Sequence, residues 1–160
     1  MTLPNRDARA NWVIGSPSRD DTQERYDAWA AEYDDDLQAY GYRSPAIAAG
    51  LIGRYFPKGT APLLDAGAGT GNMGQVMASL GYKDITALDL SEGMLKIAAQ
   101  TGAYKETRRM PLGEPLDFPS DHFAGMLCLG TFVGGHAPTS SFDELIRIMK
   151  PGARMIFGKI

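Results

Sequence analysis

The sequence predicts an α/β fold built on a doubly wound, mostly parallel sheet. Its last hundred residues alternate short apolar runs with helical patterns, which is typical of parallel sheets that carry helices on both faces. A second observation is the stretch LLDAGAGTGNMG (residues 63–74), in which an apolar run passes directly into a glycine-rich turn. The length of 160 residues fits one domain, and 44% hydrophobic residues suit a globular core.

The amino-terminal third predicts an arm followed by helices. Residues 1–20 are polar and broken by prolines and a glycine, so we assign them to a flexible arm. Residues 21–57 form a helical cap, because aromatic side chains recur at spacings of three and four from residue 22 onward. A second helix begins at Ser44–Pro45 and ends near Tyr55. The acid triplet Asp34–Asp36 predicts a solvated helix face.

The sheet core occupies residues 61–160, and together with the cap it makes one domain of residues 21–160. Each apolar run is followed by a helical pattern with recognisable start and stop signals, such as Ser91 before a helix and Gly81 after one. The predicted strands cover residues 62–66, 84–90, 104–110, 122–130 and 153–160, and the predicted helices cover residues 73–80, 91–99 and 140–149.

Composition limits the partners that the chain can have. A formal net charge of −3 argues against a broad basic surface for nucleic acid. The single cysteine, Cys128, lies in an apolar run, so we expect a buried thiol in a reducing compartment. The start of the chain lacks the pattern of a secretory signal, and every apolar run is too short to span a membrane. We therefore expect a cytoplasmic protein without nucleic-acid or membrane partners.

The glycine-rich turn predicts a ligand site at the carboxyl ends of the strands, where α/β sheets bind their ligands. Gly69, Gly71 and Gly74 also fit G-x-G-x-x-G, and Asp89 follows Gly69 by twenty residues, so a nicotinamide-dependent oxidoreductase is one alternative. Asp65 argues against it, because a carboxylate about 6 Å from a pyrophosphate repels it by roughly 3 kcal/mol at an effective dielectric of 20. The same carboxylate favours a cationic sulfonium ligand such as S-adenosylmethionine.

Four segments together resemble the class I S-adenosylmethionine-dependent methyltransferases. They are LLDAGAGTG, ALDLSEGML, LDFPSDHFAGMLCLG and IMKPGARMIF, and the resemblance runs from about Tyr26 to Ile160. The segments YDAWAAEYD and LGEPL narrow it to the methyltransferase-like proteins first named from the Williams–Beuren syndrome chromosome region. The resemblance implies S-adenosylmethionine as cofactor and the strand order 3-2-1-4-5.

The resemblance also implies the cofactor-binding residues. The backbone of the turn would line the methionine and ribose, Asp65 would hold the turn, and Asp89 would accept the ribose hydroxyls. Apolar residues would enclose the adenine, strand four would end beneath the sulfonium, and Tyr33 would close over the methionine end. The residues are Gly67, Gly69 and Gly71 for the turn, Leu90, Met94, Leu112 and Gly113 for the adenine, and Leu129 or Gly130 for strand four. The acid that many relatives carry near the adenine is missing around residues 111–113, and Glu114 is the acid close to that place.

Catalysis and the carboxyl end leave several hypotheses open. Methyl transfer depends mainly on alignment, but a hydroxyl acceptor also needs a base, for which His136 is the better placed histidine. We expect a small, partly apolar acceptor; a non-catalytic cofactor-binding or partner module is a further alternative. Class I relatives carry seven strands and five are predicted here, so we expect a fold truncated after strand five. The uncovered strand edge then predicts self-association.

Overall fold

The computed structural model describes residues 1–133 and 136–158 and confirms the predicted sheet. Within this part of the chain, five parallel strands lie in the order β3-β2-β1-β4-β5. The strands are β1 (Leu63–Ala66), β2 (Ile85–Asp89), β3 (Glu106–Arg109), β4 (Phe123–Leu129) and β5 (Met149–Gly158).

Helices pack on both faces of the sheet. They are α1 (Arg6–Ile14), α2 (Arg19–Trp29), α3 (Tyr33–Ala39), α4 (Ser44–Tyr55), α5 (Asn72–Ser79), α6 (Glu92–Gln100) and α7 (Ser141–Ile148), with a 3-10 turn at Ala30–Glu32. Alternate residues of the strands feed two separate cores, because successive side chains of a strand point to opposite faces. Leu64 and Cys128 join the core under α7, whereas Leu63 and Leu127 join the core under α4 and α5. The doubly wound architecture follows from this alternation, and Cys128 is buried as predicted.

The prediction of a flexible arm over residues 1–20 is wrong for residues 6–14, because they form the helix α1. Asn5 caps this helix, and the buried carboxylate of Asp36 then fixes it in place. Asp36 accepts hydrogen bonds from Arg6 Nε, Arg9 Nη1 and Trp29 Nε1, each at 2.7 Å. Burial alone would raise the pKa of Asp36, but these bonds outweigh it and lower the pKa. The predicted solvated face is therefore wrong for Asp36.

The sequence could not show this cluster, because the two arginine donors lie 30 and 27 residues from Asp36 along the chain. Asp34 and Asp35, the neighbours of Asp36, are exposed and agree with the predicted solvated face.

The last strand also differs from its prediction. It begins at Met149, four residues before the predicted start at residue 153, and it includes the Lys150–Pro151–Gly152 turn. Phe123 pairs with Met149 and Gly125 pairs with Arg154, so the turn bulges out of the strand between these two pairs. β5 forms one edge of the sheet and the side chain of Phe157 is largely exposed there. Among the described residues, no helix combines the length and the apolar character needed to cross a membrane.

Candidate functional site

A cavity of about 300 Å³ lies at the carboxyl ends of β1, β2 and β4. Helices α1 to α3 cover it, and we call residues 6–39 the lid. The residues α1 contributes to the wall, Ala10 and Ile14, lie in the segment predicted to be a flexible arm. Ten residues predicted for the site line this cavity: Tyr33, Gly67, Gly69, Asp89, Leu90, Met94, Leu112, Leu129, Gly130 and His136. Three others, Asp65, Gly71 and Gly113, are not among its lining residues.

Asp89 ends β2 and presents a carboxylate fixed by the backbone. Its Oδ2 accepts a hydrogen bond from Gly69 N at 2.8 Å, and its Oδ1 accepts one from Ser91 N at 2.8 Å. Burial raises the pKa of Asp89, while these backbone donors act in the opposite direction. Each carboxylate oxygen has further lone pairs, so the group can still accept hydrogen bonds from a ligand in the cavity.

Asp65 lies behind the glycine turn, not at the cavity. Its side chain is buried and accepts a hydrogen bond from the hydroxyl of Tyr104 at 2.6 Å. Burial is the main cause that raises the pKa of Asp65 to about 7, and the Tyr104 hydrogen bond opposes that rise. The charge of Asp65 is therefore weaker and more remote from the cavity than its place at the end of an apolar run predicts.

The glycines of the turn have different tasks. Gly67, Gly69 and Gly71 all have positive φ, which favours glycine at each of them. A Cβ on Gly69 would meet no atom within 4 Å, so this residue borders open space. A Cβ on Gly67 would lie 2.1 Å from Thr131 Oγ1, and one on Gly71 would lie 3.0 Å from the ring of Tyr104. Among these three glycines, Gly69 is the one at which an added side chain would point into open space.

Two neighbouring residues that the resemblance assigns to the adenine, Leu112 and Gly113, lie in different places. Leu112 lines the cavity, whereas Gly113 is exposed and a Cβ there would lie 2.5 Å from Pro138 Cγ. Glu114, the acid closest to this region, forms an ion pair with Arg19 of the lid at the protein surface. Arg19 also lines the cavity, so this ion pair lies beside the cavity wall.

Aromatic side chains of the lid form one wall of the cavity. The rings of Tyr26, Trp29 and Tyr33 contact one another, with centroids 4.8 to 6.4 Å apart. Tyr26 also places its hydroxyl 2.9 Å from Nε2 of His136. Burial raises the pKa of Tyr26, so its hydroxyl keeps its proton at neutral pH. His122, the other histidine, stacks on Phe118 just before β4 begins. The cavity lies at the carboxyl end of β4, so His122 is at the end of the strand away from the cavity.

Two carboxylates tie the lid to the turns around the cavity. Asp27 accepts hydrogen bonds from Ser91 Oγ and from Gly93 N, and thereby joins α2 to the start of α6. Asp34 accepts from Thr70 Oγ1 at 2.7 Å and from Asn72 Nδ2 at 2.8 Å, and thereby joins α3 to the glycine turn. No local sequence pattern indicates these ties, because the partners lie 36 to 66 residues apart.

The arrangement suits a ligand with hydroxyl groups, an apolar ring system and a positive charge. The carboxylate of Asp89 can accept two hydroxyl donors, while Leu90, Met94 and Leu112 supply apolar surface next to it. The described residues contain no group of three or more His, Cys, Asp or Glu side chains that could hold a metal ion.

Comparisons with known proteins agree with this geometry. Residues 64–157 match the family model described as a methyltransferase domain. The human methyltransferase-like protein 27 is 32% identical over 154 residues, which cover 94% of this chain and 62% of that protein. The chain thus spans less than two thirds of this relative's length.

Solved structures share the fold at lower sequence identity. The cyclase SpnF aligns with a TM-score of 0.73 at 18% identity, over 90% of this chain and 60% of that one. A SAM-dependent methyltransferase from Thermotoga maritima aligns with a TM-score of 0.66 at 20% identity, over 84% of this chain and 60% of that one.

Proposed function

The chain belongs to the methyltransferase domain family, and we propose that it transfers a methyl group to a small, partly apolar acceptor that carries a hydroxyl. The family implies S-adenosylmethionine as the methyl donor. The observation that carries the proposal is the carboxylate of Asp89, which two backbone amides hold at the cavity beside the open side of Gly69.

The residues around Asp89 fit this cofactor. Asp89 would accept hydrogen bonds from the ribose hydroxyls, and Leu90, Met94 and Leu112 would pack against the adenine. The open space at Gly69 lets the backbone approach the ligand. The cofactor would supply a methyl group bonded to a cationic sulfur. This sulfur leaves readily as a neutral thioether. The negative charge of Asp89 favours that cation. A nicotinamide dinucleotide would also place a ribose at this carboxylate, so the family match, and not Asp89, favours S-adenosylmethionine over it.

Tyr26 and His136 would take the proton that a hydroxyl acceptor loses. The Tyr26 hydroxyl would pass its proton to Nε2 of His136 and receive the proton of the acceptor on its oxygen. The acceptor oxygen would then use its freed electron pair for the new bond to the methyl carbon, and the electrons of the broken carbon–sulfur bond would stay on sulfur. The 2.9 Å separation between Tyr26 and His136 supports this transfer.

The walls of the cavity favour a neutral acceptor. Apart from His136, Arg19 and Asp89 are the lining residues with a basic or a carboxylate side chain. Asp89 is assigned to the cofactor, and Arg19 is paired with Glu114. The remaining wall is largely aromatic and aliphatic, and it buries apolar surface of a ligand favourably.

Calorimetry tests the cofactor, and transfer of a labelled methyl group tests the acceptor. We expect S-adenosylhomocysteine and S-adenosylmethionine to bind with clear heats and NAD to give none. Methyl transfer from labelled S-adenosylmethionine should then be found with phenols or apolar alcohols, and His136→Gln should lower the rate by about 100-fold. The matched control is His122→Gln, which lies at the other end of β4 and should keep the parent rate. Tighter binding of NAD than of S-adenosylhomocysteine would contradict the proposed function.

A further inference from the structure

Tyr104 stands between the two ends of the glycine turn. Its hydroxyl donates to Asp65 Oδ2 at 2.6 Å, near the end of β1. The same hydroxyl accepts a hydrogen bond from Gly74 N at 3.1 Å, in the first turn of α5. One oxygen atom thus connects the strand before the turn with the helix after it.

The hydroxyl replaces a missing helix cap. The N-cap residue of α5 is Gly71, which has no side chain and makes no side-chain cap hydrogen bond. The first amides of a helix need acceptors, and Ser91 supplies one for the neighbouring helix α6 by accepting from Met94 N at 3.0 Å. In α5, Tyr104 supplies an acceptor from a distant part of the chain.

The glycines make room for this side chain. A Cβ on Gly74 would lie 2.1 Å from Tyr104 Cζ, and one on Gly71 would lie 3.0 Å from Tyr104 Cε2. These two glycines therefore serve the packing of the Tyr104 ring behind the turn, whereas Gly69 borders open space and lines the cavity. The turn is held from behind and is open at the ligand side.

We propose that Tyr104 is a positioning residue for the cofactor: its hydroxyl joins Asp65 to Gly74 and so fixes the backbone of residues 67–71 in the form that receives the ligand. The role of Asp65 in this arrangement is to accept the Tyr104 hydrogen bond, not to contact the ligand. This inference rests on the proposed function, because it assigns the ordered turn to S-adenosylmethionine.

The test compares Tyr104→Phe with a matched tyrosine. Tyr82 is also buried, and its hydroxyl donates to Phe56 O at 2.7 Å in the core below α4, away from the turn. Both phenylalanine variants lose one buried hydroxyl and keep the ring. We expect Tyr104→Phe to bind S-adenosylhomocysteine about ten-fold more weakly than the parent, and Tyr82→Phe to stay within about two-fold of it.

Two measurements without ligand test the connection itself. In the parent, the amide of Gly74 should exchange its hydrogen slowly, and Tyr104→Phe should accelerate that exchange by about ten-fold. The carboxyl carbon of Asp65, observed by NMR, should titrate at higher pH in Tyr104→Phe, because the variant lacks a hydrogen bond that favours the charged form. The Gly74 amide and Asp89 are the other groups that influence this titration, and both remain in the variant. Tyr82→Phe should leave both measurements unchanged.

The outcomes separate this inference from the proposed function. A parent that binds no S-adenosylhomocysteine, although Gly74 is protected, contradicts the proposed function and with it the cofactor role of Tyr104. A parent that binds, together with a Tyr104→Phe variant of equal affinity, contradicts the inference about Tyr104 alone. Rapid hydrogen exchange of the Gly74 amide in the parent also contradicts the inference about Tyr104, and this measurement needs no variant.

Discussion

The tips of β1 and β2 carry the same type of side chain in opposite situations. Asp65 pairs in register with Ala87, so Asp89 stands two residues further toward the carboxyl edge on the neighbouring strand. Because of this offset of two positions, Asp65 is buried behind the turn, whereas Asp89 reaches the cavity wall. An acid at the end of an apolar strand is thus a ligand contact or a structural acceptor according to its depth in the sheet.

Asp89→Ala should have the largest effect in this comparison. We expect it to weaken the binding of S-adenosylhomocysteine by about 2–4 kcal/mol, because two charge-assisted hydrogen bonds to the ligand are lost together. The free energy of unfolding should change by less than about 1 kcal/mol, since Asp89 lines the cavity and water entering there can replace it as the acceptor of the two backbone amides. Isothermal titration calorimetry and urea unfolding measure the two quantities.

The control for this variant lies at the other end of the same strand. Asp84 precedes β2 and pairs with Lys105, far from the carboxyl edge. Asp84→Ala should bind S-adenosylhomocysteine as the parent does. If Asp89→Ala also kept the parent affinity, Asp89 would not belong to the site.

Asp65→Asn should change the pH dependence of stability. The pKa of Asp65 is raised from its usual 3.8 to about 7 in the folded state. Between these two pH values the folded state holds a proton that the unfolded state has released, so stability is lost as the pH rises through this window. We expect this residue to account for a loss of about 2–3 kcal/mol in the free energy of unfolding between about pH 5 and pH 8, which Asp65→Asn abolishes. Urea unfolding at both pH values measures this loss. If the free energy of unfolding changed equally with pH in the parent and the variant, the buried position of Asp65 would be contradicted.

Asp34→Ala should have the smallest effect, because it removes contacts to the turn without entering the cavity. Asp34 accepts from Thr70 Oγ1 and Asn72 Nδ2, and their loss should weaken the binding of S-adenosylhomocysteine by about 1 kcal/mol. The adjacent exposed residue gives the control, since Asp35→Ala should keep the parent affinity. Equal changes in both variants would point to a general charge effect instead of the tie to the turn.

The sequence predicted those features whose signal is local. Alternating apolar runs and the glycine turn predicted a parallel sheet and the position of the cavity, and Asp89 could be placed because it ends a strand. The strand order, in contrast, was implied by the family resemblance. Features made by distant partners gave no such signal. The contact of Tyr104 with Asp65 spans 39 residues, and the contact of Arg6 with Asp36 spans 30 residues. Hydrophobic period and turn chemistry carry no information on pairs of this kind.

The lid has a consequence for how occupancy of the cavity can be observed. Asp27 and Asp34 hold it to the two turns that border the cavity, so a ligand in the cavity and a closed lid stabilise each other by thermodynamic linkage. Trypsin can cut beside Arg19, whose side chain is half exposed, when that part of the lid opens locally. The cleavage rate at Arg19 should therefore fall with the fraction of protein that is loaded. Protease protection then becomes a binding assay that needs neither a known acceptor nor turnover.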